Sequence, residues 1–295
     1  MALPVTAVYV VLICLAAGLL EGQMWVSFAL LAVSSFLMMQ LNNANALIRV
    51  YSRMVSCTFL VLSAMSTFLL ANPVYGGVQL CLVAFYVLFF RAYQDKRAVG
   101  TVFYAFLMLG IASIGFVQIL FFVPVLWILL YTNVMAGSVR TFFASVLGTL
   151  LPYWFAEVYY VYRGEPLALV PHFLALGEFR PLALSLPWSG PQLAAAALVL
   201  LLALVGVVHF HRNSYMDKIR TRMLFEIFTT MTICTVVFLL LQPQHVNSLL
   251  GMLIVSISPL VGHYVSLTRT RLTNISFFVF LLLALAVTAY NVWML

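Results

Sequence analysis

The sequence predicts an all-α fold, a single transmembrane helical domain over residues 1–295 that crosses a membrane about eleven times. Its composition is the first reason, because 65% of the residues are hydrophobic and 7% are charged, whereas soluble domains carry roughly 25% charged residues. The second reason is that Arg140 is the only formally charged residue between Arg97 and Glu157. Helices of a water-soluble domain need a polar face, so this stretch predicts membrane spans.

The apolar runs define the individual elements. The first run follows Met1 without basic residues or a small-residue cleavage site, which predicts a retained helix rather than a signal peptide. The fifth and sixth runs are short and separated only by residues 115–118, so they form either two crossings or a hairpin that stops partway. The predicted spans cover residues 3–20, 24–41, 54–71, 75–91, 100–115, 117–132, 142–161, 192–210, 223–241, 246–263 and 275–293.

The distribution of basic residues predicts the orientation. With a cytoplasmic N-terminus and a periplasmic C-terminus, twelve of the fourteen lysines and arginines fall in inner loops, and Arg163 and Arg180 fall in an outer loop. Basic residues concentrate on the cytoplasmic side of membrane proteins, so this arrangement predicts a multi-pass protein of a bacterial inner membrane. The inner residues are Arg49, Arg53, Arg91, Lys96, Arg97, Arg140, Arg212, Lys218, Arg220, Arg222, Arg269 and Arg271.

Several classes of function are disfavoured by what the chain lacks. The net charge of +7 is spread over separate loops, so no nucleic-acid partner is predicted. The four cysteines lie in apolar runs without CxxC spacing, which predicts neither disulfides nor a metal site. No P-loop, HExxH, GxSxG or dinucleotide-binding motif is present, and no cofactor is predicted.

The one sizeable outer loop, residues 163–191, contains five prolines separated by apolar residues. Prolines at this density interrupt long helices, while the apolar residues between them favour contact with the membrane surface. The loop is therefore predicted to be a broken, amphipathic segment lying on the membrane rather than a flexible linker.

Charged residues near the outer side form the candidate site. Glu157 lies about one turn inside the outer end of the seventh span, and ionisable residues in a membrane are costly and often functional. Glu21 and Glu157 are the candidate catalytic carboxylates, and Arg163, Arg180 and His172 are the candidates for binding a substrate or lipid phosphate. The alternative is that these are solvated loop residues, with Glu157 reaching the interface or pairing with Arg163.

The inner side carries a second group of titratable residues. Glu226 is interpreted as structural, paired with Arg222 four residues before it. His209 and His211 are interpreted as interface histidines, because positions i and i+2 of a helix point in different directions. His263 follows Pro259 and Gly262 and could relay protons. Residues 209–222 form a basic loop that sets orientation and could also bind anionic headgroups.

Two resemblances concern the central stretch. Residues 110–130, GIASIGFVQILFFVPVLWILL, followed by Arg140 and FFASVLGTLLPYWFAEVYYVY, resemble an uncharacterised family of polytopic inner-membrane proteins from Bacteroidota. That resemblance implies a membrane fold and no particular chemistry. The layout is also similar to the membrane core of type C glycosyltransferases, which use polyprenyl-phosphate-linked sugars and carry an acidic residue in their first outer loop, where this chain has Glu21.

Three functions remain open at this level. The first is a non-catalytic subunit or scaffold of a larger envelope complex. The second is a glycosyltransferase-like protein acting on polyprenyl-linked sugar at the outer leaflet. The third is a transporter or flippase that uses Glu157 and His263. The predicted partners are membrane lipids, other inner-membrane proteins and, for the second function, a polyprenyl-phosphate-linked glycan.

Overall fold

The computed structural model describes residues 2–18, 24–179, 188–267 and 271–294, and these residues contain α- and 3-10 helices but no β-strand. The predicted all-α class is therefore confirmed. The α-helices are α1 (Ala2–Ala16), α2 (Trp25–Asn45), α3 (Met54–Met65), α4 (Pro73–Phe89), α5 (Val99–Gly115), α6 (Val123–Thr132), α7 (Val139–Tyr162), α8 (Leu169–Leu174), α9 (Gly190–Asn213), α10 (Ile219–Leu241), α11 (Val246–Leu267) and α12 (Arg271–Trp293).

Each predicted span overlaps an α-helix, and α8 lies within the predicted outer loop. The spans predicted over 54–71 and 117–132 are longer than α3 and α6, because part of each range is 3-10 helix. Among the described residues, seven helical segments are long and apolar enough to cross a membrane. They are Trp25–Asn45, Pro73–Ala92, Val139–Tyr162, Gly190–Met216, Ile219–Leu241, Pro243–Leu267 and Thr273–Trp293. The helices α1, α3, α5 and α6 are shorter. The chain is thus a multi-pass membrane protein by the length and composition of its helices.

Local sequence fixes where several helices begin. Ser138 caps α7, because its side chain accepts a hydrogen bond from the Thr141 backbone N–H while the Thr141 hydroxyl oxygen accepts one from the Ser138 N–H. Ser189 and Gln192 form the same reciprocal capping box at the start of α9. Each box satisfies backbone donors that would otherwise lack partners at the helix end.

Helix α11 is the centre of the bundle. In its membrane-spanning segment, Pro243–Leu267, 94% of the apolar window is buried, against 17% for the segment containing α12. It packs against α3, α4, α9 and α10. Hydrogen bonds fasten α4 to it, since Gln79 Nε2 donates to Gly251 O over 3.3 Å and the Tyr86 and Ser256 hydroxyls lie 3.2 Å apart. Interhelical bonds of this kind stabilise helix pairs inside membranes.

The loops gather at two ends of the bundle. At the end called here the basic end, Arg220 donates to Asn45 Oδ1 over 3.0 Å and Ser138 Oγ lies 3.3 Å from Lys96 O. Arg49 donates to Met216 O over 3.4 Å at the same end, which joins the connection after α2 to the connection after α9. At the opposite end, Trp188 Nε1 donates to Pro243 O over 2.9 Å. Several described connections that the sequence assigns to the inner side therefore meet at one end of the bundle.

The first turn of α1 and the last turns of α12 lie at different ends of the bundle. Ala2 lines the same apolar cavity as Met54, the first residue of α3, which places the start of α1 at the basic end. Asn291 Nδ2 donates to Met65 O, at the other end of α3, over 2.7 Å. An odd number of alternating segments produces this arrangement.

Helices α5 and α7 cross with their backbones in contact. A Cβ atom at Gly110 would lie 2.6 Å from Thr149 O, and one at Gly148 would overlap Phe103 O. Small residues at such crossings let helices approach closely enough for dispersion forces to hold them together in lipid. The two glycines are therefore required for this packing, independently of backbone flexibility.

We expect Gly148→Ala to lower the stability of the protein by about 1–3 kcal/mol, because the added methyl group would overpack the α5–α7 crossing. The measurement is thermal or denaturant unfolding in detergent. Gly100→Ala is the matched control, since a Cβ at Gly100 in α5 would meet nothing within 4 Å. Equal stability of the two variants would contradict the close crossing.

Candidate functional site

A buried acid–imidazole pair stands at the basic end. Asp217, in the connection between α9 and α10, lies 2.9 Å from His263 on α11 through Oδ2 and Nε2. The two side chains are 3% and 1% exposed. Removing a carboxylate from water is costly unless a partner compensates it, and imidazole supplies either a neutral N–H donor or a positive charge.

The helix that carries His263 is continuous and contains a proline one turn earlier. Pro259 lies four residues earlier in α11 and has no N–H to donate to the preceding turn. His263 therefore occupies the last part of the helix, beyond the proline, where its side chain reaches the Asp217 connection. The pair joins the most buried helix of the bundle to a loop at its surface.

Aromatic rings surround His263. The ring centroids of Phe225 and His209 lie 4.9 and 5.5 Å from its own centroid. Among the described residues, His263 Nδ1 has no hydrogen-bond partner. The site can therefore hold or exchange a proton between a carboxylate and an imidazole in apolar surroundings. No cluster of three His, Cys, Asp or Glu able to hold a metal occurs in the described ranges.

A second polar contact lies at the same end. Asn133, after α6, donates through Nδ2 to Glu226 Oε2 over 2.7 Å and to Met223 O over 3.3 Å. Glu226 makes no ion pair with Arg222 in this part of the chain, so the partner inferred from the sequence was wrong. A structural role for Glu226 is retained, because its carboxylate connects α10 to the connection after α6.

The described members of the predicted outer site are not in contact. Glu157 is partly buried on α7, and no hydrogen bond or ion pair links it to Arg163 or His172. The Arg163 guanidinium lies instead over the Tyr159 ring, 5.2 Å from its centroid. His172 Nε2 lies 3.0 Å from Ser113 O at the end of α5. Glu21 and Arg180 lie outside the described residues, so the group remains a prediction.

The described part of the outer loop is an ordered segment, called here the platform (residues 167–179). Gln118 and Gln244 donate through Nε2 to Ala175 O and Glu178 O, over 3.4 and 2.9 Å. The Phe173 ring packs on Tyr153 with centroids 4.9 Å apart. The platform nevertheless presents apolar side chains outward.

Sequence reasoning missed Asp217 and Gln118. Asp217 was treated as one residue of the basic loop 209–222 and was not singled out. A single acidic residue among basic ones, next to the start of a helix, could have indicated a specific partner. Gln118, in the turn before α6, lies 2.9 Å from His245 Nε2 through its own Nε2. The polar side chain of Gln118 in an otherwise apolar stretch was the feature that could have identified it.

We expect Asp217→Ala to destabilise the protein by about 1.5–3 kcal/mol, because it removes a hydrogen bond to a buried ionisable group. Asp217→Asn keeps one possible hydrogen bond to His263 and should cost less. Unfolding in detergent measures both changes, with Glu165→Ala as the control, an exposed acid whose side chain bonds to no described residue. A loss no greater than that of Glu165→Ala would show that the pair contributes nothing to stability.

Comparison with other proteins identifies no family for the chain, since no protein-family model, curated protein or solved structure matches it.

Proposed function

We propose that the protein is a multi-pass protein of the bacterial inner membrane that crosses the bilayer eleven times, with the N-terminus cytoplasmic and the C-terminus periplasmic. The separation of the basic end from the opposite end supports this orientation, because cytoplasmic loops of membrane proteins are enriched in lysine and arginine. The proposed count of eleven treats the short helices α1, α3, α5 and α6 as crossings, which keeps the alternation of sides that the basic residues follow along the sequence.

Cysteine labelling tests the orientation. In a variant whose four cysteines (Cys14, Cys57, Cys81 and Cys234) are replaced by alanine, Glu165→Cys should react with a membrane-impermeant maleimide in intact spheroplasts. Lys96→Cys should react only after the membrane is opened. Both positions are exposed, so accessibility within the fold does not distinguish them. Labelling of Lys96→Cys in intact spheroplasts would show that the orientation is opposite to the one proposed.

Within that membrane, we propose that the protein is a non-catalytic subunit of a larger envelope complex. The observation that carries the proposal is the platform, an ordered segment whose apolar side chains face outward. Leu167 and Leu174 are 74% and 69% exposed, while hydrogen bonds from Gln118 and Gln244 hold the backbone beneath them. A preordered apolar surface loses little conformational entropy on binding, which favours association with another protein.

The partner of the platform would be another membrane protein. The platform follows the end of α7, where Trp154 and Tyr162 are exposed in the manner of aromatic residues at a membrane interface. A partner that reaches it must therefore work at the boundary between lipid and water. The platform would therefore bind a membrane protein in addition to contacting lipid headgroups.

Copurification in mild detergent tests the subunit role. The wild-type protein should copurify with a fixed set of envelope proteins in constant ratio, and Leu174→Glu should lose them because it places a charge in an apolar contact. Glu165→Gln is the control, since it alters an exposed residue near the platform without changing an apolar side chain. Retention of the same partners by Leu174→Glu, at equal yield, would count against the platform as the binding surface.

Transport is a second candidate, favoured by the Asp217–His263 pair. Buried ionisable pairs in membrane proteins often mark proton relays, and the histidine of this pair lies one turn beyond Pro259 on the central helix. The distinguishing measurement is proton-driven uptake in vesicles. Uptake that is present in the wild type and abolished in Asp217→Asn would favour transport over the subunit role. A stable complex that shows no uptake would favour the subunit role.

A further inference from the structure

A cleft with the composition of a lipid site opens beside α9 at the basic end. Its volume is about 670 Å³, within the range of small-molecule sites. Six of its lining residues come from one face of α9, at positions that recur every three to four residues. The lining residues are Leu204, Val205, Val208, His209, Arg212, Asn213 and Tyr264.

The lining changes from apolar to polar along the helix axis. Leu204, Val205 and Val208 form the apolar part, and Arg212 and Asn213 form the polar part at the end of α9. At a rise of about 1.5 Å per residue, Leu204 and Arg212 are separated by roughly 12 Å along the axis. A phospholipid has the same polarity profile, with acyl chains inside the hydrocarbon region and a phosphate at the interface.

The polar part of the cleft carries a positive charge that pairs with no described residue. Arg212 is exposed and makes no hydrogen bond or ion pair with any described residue. Asn213 Nδ2 donates to His209 O over 3.0 Å, which supports the backbone at this turn. His209 Nδ1 is buried in the cleft wall without a hydrogen-bond partner among the described residues.

We propose that this cleft binds one anionic phospholipid from the leaflet at the basic end. Arg212 holds the phosphate through paired N–H donors, the geometry that makes arginine suited to phosphate. Leu204 and Val208 contact the first part of an acyl chain. His209 supplies a second polar group, and its ring also packs on His263, so the lipid lies one imidazole away from the Asp217–His263 pair.

The site depends on the membrane location of the protein and not on the subunit role or the platform. Charge complementarity selects the occupant. An arginine that pairs with no described residue, next to an apolar wall, attracts the negative charge of an anionic headgroup. A zwitterionic headgroup also carries an ammonium group, for which the cleft offers no negative partner among its lining residues. Juxtamembrane basic residues attract anionic lipids in general. The cleft adds to that attraction a defined place for one lipid molecule.

The test is thermal unfolding and native mass spectrometry of the purified protein with added lipid. Phosphatidylglycerol should raise the Tm of the wild type and bind as a discrete adduct, since a ligand that binds only the folded state stabilises it. Phosphatidylcholine with the same acyl chains and soluble glycerol phosphate should raise the Tm much less. An equal effect of either compound would overturn the proposal.

Three variants locate the site. Arg212→Gln should weaken phosphatidylglycerol binding by roughly tenfold, the loss expected for a charge-assisted hydrogen-bond pair. Val208→Trp should weaken it as well, because it fills the apolar part without removing charge. Arg140→Gln, an exposed arginine at the same end on α7, should bind like the wild type. Binding unchanged in Arg212→Gln, or reduced equally in Arg140→Gln, would contradict the assignment to the cleft.

Discussion

The burial of α11 is the constraint on which the rest of the bundle depends. A helix surrounded by α3, α4, α9 and α10 is buried over nearly its whole length and has no water around it, so its polar groups need partners inside the protein. Gln79 and Tyr86 provide two of these partners from α4. At the end of the helix the same requirement reaches His263, and Asp217 meets it from the connection after α9.

The position of Asp217 explains why the α9–α10 connection is ordered at the basic end. The carboxylate leaves water and enters a set of aromatic rings, which is favourable only because His263 receives it. Arg49 adds a contact to the same connection by donating to Met216 O over 3.4 Å. The loop is thereby fixed to the central helix and to the connection between α2 and α3, and Arg212 at the end of α9 is held near the pair.

The helices could be predicted from the sequence, whereas the contacts between them could not. Long apolar runs specify spans because the hydrocarbon thickness sets their length, and each predicted run overlaps an α-helix. The Asp217–His263 contact joins residues 46 positions apart, and no periodicity or local spacing reports such a pairing. Arg222 was chosen for Glu226 because it is four residues away, but the tertiary fold brings Asn133 closer.

The same distinction applies to the outer site and to the cleft. Glu157, Arg163 and His172 were grouped because the sequence predicts one membrane side for them, and a shared side does not by itself specify contacts between side chains. Arg212 was grouped with a diffuse basic loop, whereas the fold gives it an apolar wall on α9 and Tyr264 from α11. His209 connects the two features of the basic end, since its ring lines the cleft and packs on His263. A ligand that orders His209 would therefore act directly on the surroundings of the buried pair, because imidazole rings in contact cannot reorient independently in a close-packed interior.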